Sequence, residues 1–189
     1  GNNKSEAEIT TAVKNGVGII VIDSFDELSR VVKIASDLKK VQKVYLRLTP
    51  GVDAHTHEFI STAHEDVKFG FSIASGDAQI AIDKCMTESS LNLAGIHCHI
   101  GSQIFEVSGF ELAAQRLVAV LVAFRDKYSK ELAELNLGGG YGIAYTKNES
   151  AISPAQVIPA IAKVIKSECE KAKLSVPKIS IEPGRAIVG

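Results

Sequence analysis

The chain has 189 residues, 46% of them hydrophobic and 23% charged, with a formal net charge of −1. That is enough for one domain with a sizeable core, and Lys, Arg, Asp and Glu are spread evenly, so there is no basic footprint to suggest nucleic acid as a partner. No apolar run approaches the roughly 18 residues of a membrane helix, no secretory leader is legible, and the three cysteines, Cys85, Cys98 and Cys169, lack CxxC spacing and read as free thiols of a reducing cytoplasm.

In chain order, short β-branched runs alternate with longer helical patterns. The chain opens Gly1-Asn2-Asn3 rather than with Met, and Ser5-x-x-Glu8 then fits a capping box, in which two side chains satisfy orphan helix amides reciprocally. A strand is expected over 17–22. Ser24-x-x-Glu27 starts a second helix, with Leu28, Val31, Ala35 and Leu38 at helical spacing. Another strand follows at 43–48. From Pro50 to Ser75 no clean pattern holds for about 25 residues, longer than an ordinary connection, and such loops are usually functional. A strand is expected at 93–99. Ser108-x-x-Glu111 reads as a third capping box, ahead of Leu117, Val120, Leu121 and Phe124. A strand at 135–138 precedes Ser153-Pro154-x-Gln156, a fourth box with proline at the favoured first helical position. Pro159 should kink that helix or delay its start. A last strand is expected at 179–182. The closing Ala186-Ile187-Val188-Gly189 looks like part of a strand, so the chain reads as a segment of a longer protein.

Most of these strands are apolar without strict alternation, as expected of strands buried on both faces. Repeated βα units imply an α/β fold, either doubly wound or a (β/α)8 barrel. In such folds the reactive groups cluster at the carboxyl ends of the strands, and three strand ends carry chemistry. The first reads His97-Cys98-His99-Ile100-Gly101-Ser102. Its histidines could be an HxH metal pair, a satisfied core histidine, or a ring stacked on a flat cofactor; no carboxylate-rich motif accompanies them, so no metal is expected. The second reads Gly138-Gly139-Gly140-Tyr141-Gly142. Four glycines in five positions destabilise regular structure, and close approach to an anion, with the amides forming a nest, is the usual reason. It is not the dinucleotide fingerprint. The third reads Glu182-Pro183-Gly184-Arg185. This is either a local ion pair, or a carboxylate facing a ring nitrogen and a guanidinium facing a phosphate or carboxylate. Together the three ends describe a site for a flat, phosphorylated, basic heterocycle, and pyridoxal phosphate fits that description.

Several stretches resemble the diaminopimelate decarboxylase family. Arg47-Leu48-Thr49-Pro50-Gly51-Val52-Asp53-Ala54-His55-Thr56-His57 is similar to the stretch after that family's fifth barrel strand, and Asp66 to Phe71 continues it. His97 to Gln103, Gly138 to Gly142 and Glu182 to Arg185 match in order and spacing, and Gly1 to Ser5 resembles the turn after the third strand. The resemblance spans essentially the whole chain. Its glycine run and Glu-Pro-Gly-Arg turn are shared with ornithine and arginine decarboxylases; His55, His57 and His-Cys-His-Ile-Gly-Ser-Gln are more particular to the diaminopimelate branch.

The resemblance implies a partial (β/α)8 barrel of the alanine racemase and ornithine decarboxylase type, about strands 4 to 8, forming residues 1–189 of a pyridoxal phosphate-binding domain. It implies that the preceding barrel strands, with the lysine that anchors the cofactor, and a carboxy-terminal β-domain lie outside this segment. His99 would stack on the pyridine ring. Ser102, Gly138, Gly139, Gly140 and Gly184 would hold the phosphate. Glu182 would pair with the pyridinium nitrogen within the Glu182-Pro183-Gly184-Arg185 turn, and Arg185 would reach a substrate carboxylate. Related racemases place an arginine where Glu182 stands, so Glu182 favours a decarboxylase. Lys4 and Lys68 sit in other motifs and are expected to be solvated or structural. The implied activity is decarboxylation of meso-diaminopimelate to L-lysine by a cytoplasmic homodimer, with the 189-residue segment inactive alone. The alternatives are a decarboxylase of ornithine, arginine or carboxynorspermidine, or a non-catalytic regulatory relative.

Overall fold

A computed structural model describes residues 1–52, 69–147, 151 and 153–189. Asp53, Ala54, His55, Thr56, His57, Asp66, Val67 and Lys68 lie outside the described residues. The chain divides into two compact units, one of Gly1–Thr49 with the described part of Asp66–His97, the other of the described parts of Pro50–Glu65 and Cys98–Gly189.

In the first unit Ser5 caps helix α1 (Glu6–Lys14) with the complete reciprocal box to Glu8. Hydrogen bonds from Ser5 hold the exposed Glu8 carboxyl below the usual glutamate range. α1 buries Ile9 and Val13. Strand β1 is Ile20–Ile22, shorter than the expected 17–22, because Val17 N–H still bonds back to Ala12 O at 3.0 Å and the side chain is exposed. Helix α2 (Phe25–Asp37) buries Leu28, Val31, Ile34 and Ala35. Ser24 accepts from Glu27 N, but the box is incomplete: Glu27 Oε2 takes Asp23 N–H at 2.8 Å and pairs with Lys4 Nζ at 2.9 Å. Lys4 also donates to Val21 O at 2.8 Å, a structural role for that amine.

Strand β2 (Gln42–Thr49) pairs in parallel with β1, Ile20 opposite Val44 and Ile22 opposite Leu46. A two-residue strand β3 (Phe71–Ser72), helix α3 (Asp77–Thr87) and strand β4 (Leu91–His97) follow. β3 and β4 each run parallel to β2, with Leu48 opposite Phe71 and Leu46 opposite Ile96. Parallel neighbours need crossover connections, and α2 and α3 lie on the connections between β1 and β2 and between β3 and β4.

In the second unit helix α4 is Val107–Tyr128, capped by Glu106 without a side-chain bond. The expected box at Ser108 is therefore wrong: Ser108 lies inside the helix. α4 is long and apolar enough to cross a membrane by length and composition. Phe110, Ala113, Ala114, Leu117, Val118, Leu121 and Phe124 are nonetheless buried at core spacing, and the helix packs on α5 (Pro154–Ala172). α5 answers with the i, i+4 stripe Val157, Ile161, Ile165, Cys169. Its start is as expected, with the Ser153–Gln156 box and Pro154 in the first turn. Pro159 neither ends nor delays it. Arg125 Nη1 donates to Ala172 O at 2.6 Å, satisfying a carbonyl at the end of α5.

Strands β5 (Glu134–Asn136) and β6 (Lys178–Ser180) pair in parallel across α5, a βαβ unit. The closing residues are not a strand: helix α6 (Gly184–Val188) turns there, with Ile187 and Val188 exposed. Among the described residues, all pairings within each unit are parallel, an α/β arrangement.

Cys85, Cys98 and Cys169 are buried thiols outside any disulfide among the described residues. Desolvation pushes the Cys85 thiol up to about 12 and raises that of Cys169. Since the thiolate is the nucleophile, alkylation of Cys85 at pH 8 should be on the order of 10³-fold slower in the native protein than in urea. Native modification at the free-thiol rate, read by mass spectrometry, would contradict this burial.

Candidate functional site

Most of the chemistry-bearing residues lie beyond their strands. β4 stops at His97, β5 at Asn136 and β6 at Ser180, so His99, the glycine run and Glu182 stand on the turns beyond. His97 itself is buried at the end of β4 in the first unit. The other residues belong to the second unit, where the turns interlock.

Cys98 N–H donates to Asn136 O at 2.9 Å, laying the first turn beside the second. Ile104 N–H then donates to Gly140 O at 2.9 Å and Gly142 N–H to Ile104 O at 3.0 Å, closing a parallel bridge between Ile104 and Tyr141. Gln103 extends the bridge with its side chain. Its Nε2 donates to Ile143 O at 3.0 Å and its Oε1 accepts from Ile143 N at 3.1 Å. The carboxamide thus serves as an extra peptide unit, from a left-handed backbone with φ 56°.

The glycines are required by the approach of the neighbouring turns. A Cβ on Gly138 would stand 2.2 Å from Cys98 O, on Gly139 2.1 Å from Glu182 O, and on Gly140 2.2 Å from Gly101 O. Gly138 and Gly140 also carry positive φ, 67° and 104°. The expected cradle of amides has two of its three members engaged inside the chain: Gly138 N–H donates to Asn136 Oδ1 at 2.8 Å and Gly139 N–H to His99 Nδ1 at 3.2 Å.

The third turn docks onto the second through Glu182 N–H, which donates to Gly138 O at 2.8 Å. The Glu182 carboxylate accepts from Asn136 Nδ2 at 3.1 Å. Pro183 precedes α6, and nothing lies within 4 Å of where a Cβ on Gly184 would stand. Arg185 Nη2 donates to Ser102 Oγ at 3.2 Å and Nη1 to Tyr145 Oη at 2.5 Å. His99, Ser102, Glu182 and Arg185 are exposed, while Gly138 and Gly139 beneath them are buried. Seven of the nine candidate residues therefore lie on one interlocked set of turns, and Gly184 and Arg185 open helix α6, which follows the third turn. This donor set suits a phosphorylated ring: an imidazole, a carboxylate, a hydroxyl and a guanidinium exposed together above backbone too tightly packed for any side chain. Among the described residues no group of three or more His, Cys, Asp or Glu side chains could hold a metal ion.

Sequence reasoning missed Asn136, whose one carboxamide serves both the glycine run and Glu182, together with Gln103 and Tyr145. It also missed Tyr141, which stacks on Phe110 at 4.9 Å with its hydroxyl buried and, among the described residues, unpartnered. Desolvation, with a smaller contribution from Cys98, pushes that phenol up to about 12. A buried polar group without a partner is a cost that its removal relieves. Tyr141→Phe should therefore be neutral or stabilise by about 1 kcal/mol in urea unfolding; a loss of more than that would mean the hydroxyl is bonded in solution.

Residues 1–189 match the family model for pyridoxal-dependent decarboxylases, pyridoxal binding domain. The chain belongs to this family. Its cofactor is accordingly pyridoxal phosphate. Diaminopimelate decarboxylase of Mycobacterium tuberculosis is 48% identical over 193 residues, covering 100% of this chain and 43% of that protein. The chain thus spans less than half the length of the curated relatives it matches. A crystal structure of diaminopimelate decarboxylase from M. jannaschii in complex with L-lysine superimposes with a TM-score of 0.88 at 32% identity, over 99% of this chain and 42% of that one. The biosynthetic arginine decarboxylase of Campylobacter jejuni follows at a TM-score of 0.75 and 25% identity, over 97% of this chain and 30% of that one. Within this pyridoxal-dependent family the likeness is greater to the diaminopimelate enzymes than to that arginine decarboxylase.

Proposed function

We propose that the protein carrying this chain decarboxylates meso-2,6-diaminopimelate to L-lysine and CO₂, the last step of lysine synthesis. The observation that carries it is the 48% identity to a diaminopimelate decarboxylase across the full chain. On this reading the segment supplies about strands 4 to 8 of a (β/α)8 barrel, in a cytoplasmic homodimer.

Bound pyridoxal phosphate supplies a conjugated cationic ring that accepts the electron pair left when CO₂ departs. Glu182 holds the proton on the ring nitrogen, and Asn136, bonded to the Glu182 carboxylate, steadies it there. His99 covers one face of the ring and excludes water from it. Ser102, Gly138, Gly139, Gly140 and Gly184 receive the phosphate, while Pro183 shapes the turn between Glu182 and Arg185. Since the Gly138 and Gly139 amides are engaged within the chain, those glycines act chiefly by admitting close backbone, and Ser102 carries more of the phosphate contact. Arg185 binds a substrate carboxylate. No lysine of this chain is assigned as the covalent anchor.

The test is release of CO₂ and L-lysine by the full-length protein from meso-diaminopimelate, beside ornithine, arginine and carboxynorspermidine. Turnover of diaminopimelate with the highest kcat/KM is expected. Preference for another of the four, or none at all with cofactor bound, would overturn the assignment.

A further inference from the structure

Arg185 is exposed, yet its guanidinium is held on both sides. Nη1 donates to Tyr145 Oη at 2.5 Å, Nη2 donates to Ser102 Oγ at 3.2 Å, and Cζ stands 5.9 Å from the centroid of the Tyr145 ring. Among the described residues its hydrogen-bonding partners are these two hydroxyls, and no carboxylate pairs with it. Hydroxyls orient a guanidinium without neutralising it. Holding an arginine costs rotamer entropy, so two neutral restraints on an exposed one point to an orientation that serves something else. A planar fork of fixed direction and unspent charge matches a carboxylate or phosphate.

The restraint is itself anchored. Tyr145 lies two residues beyond Ile143, whose N–H and C=O are both taken by Gln103, and Gln103 directly follows Ser102. The two hydroxyls that bracket Arg185 thus come from loops tied to each other independently of Arg185.

We propose that Tyr145 is a positioning residue for the oxyanion received by Arg185. Its hydroxyl accepts from Nη1 and fixes the plane of the fork. The inference rests on the assignment of Arg185 to the binding site. The oxyanion is either the phosphate of the cofactor or the carboxylate of an amino-acid ligand.

The experiment compares ligands with and without each anion on the full-length protein, by calorimetry. Pyridoxal phosphate is paired with pyridoxal on the apoprotein, and L-lysine with cadaverine on the holoenzyme. The variants are Tyr145→Phe, which keeps the ring, Arg185→Gln, and the two together. Tyr145→Phe should weaken the anionic member of one pair by about 3- to 10-fold, the scale of one net hydrogen bond. It should leave the member without the anion within about twofold, and the affected pair identifies the oxyanion. On the Arg185→Gln background the effect should vanish, because the hydroxyl acts through that side chain. Equal weakening of both members would show general packing and sink the proposal, as would full additivity with Arg185→Gln. If Arg185→Gln discriminates within a pair and Tyr145→Phe does not, the role of Tyr145 falls while that of Arg185 stands. If Arg185→Gln discriminates within neither pair, both fall.

Discussion

Gly139→Ala is expected to destabilise the protein by at least about 3 kcal/mol, at or beyond the upper end for overpacking because backbone must move. The added Cβ would stand 2.1 Å from the carbonyl oxygen of Glu182, which belongs to the turn carrying the proposed ring-nitrogen partner. Neither side can yield cheaply. Gly139 N–H is bonded to His99 Nδ1, and Glu182 N–H to Gly138 O. Folded domains have only about 5–15 kcal/mol in hand, so the loss should be plain in the urea midpoint of the full-length apoprotein. Gly184→Ala is the control. Nothing lies within 4 Å of where its Cβ would be, and its stability should stay within about 0.5 kcal/mol of the parent. Equal midpoints for the two variants would remove close backbone approach as the reason for the glycine run.

Glu182→Gln should lower kcat of the full-length enzyme on the order of 10²-fold, the scale of losing one preorganised electrostatic partner. Cofactor affinity should change far less. The substitution keeps the bond to Asn136. Asn136 Nδ2 donates to Glu182 Oε1 at 3.1 Å, and a glutamine oxygen can accept the same bond. What disappears is the negative charge that keeps a proton on the ring nitrogen. Single-turnover CO₂ release, with the cofactor spectrum confirming occupancy, separates chemistry from binding. An unchanged single-turnover rate would end the electron-sink role of Glu182.

Much of this was legible in the sequence where the signal is local. The helix starts at Ser5 and Ser153 were found because capping boxes are written within four residues. Helix α3 was not, because its N-cap Gly76 contributes a left-handed backbone, φ 88°, and no side chain. The three chemistry-bearing strands were each placed two residues late at their ends, and at the first two burial outlasts pairing: Cys98 and Leu137 are as buried as the strands they follow. That His99, Glu182 and Arg185 stand just beyond strand ends could be read from the sequence. The roles of Asn136, Gln103 and Tyr145 could not. Their roles depend on partners about 40 residues away in sequence, or more, and a polar residue near a strand end has many uses. The glycine run was read as an anion nest, whereas the dominant fact is the packing of three turns against one another.

The double duty of Asn136 bears on how the molecule ages. Spontaneous deamidation would turn its donor nitrogen into an oxygen facing Glu182, setting two carboxylates against each other. That chemistry begins with attack by the next residue's backbone nitrogen on the side-chain amide. Here the nitrogen belongs to Leu137, whose N–H is tied to Ser180 O at 3.0 Å, and Asn136 is itself buried. The ladder between β5 and β6 thereby shields the asparagine from the slow reaction that would do the site most harm.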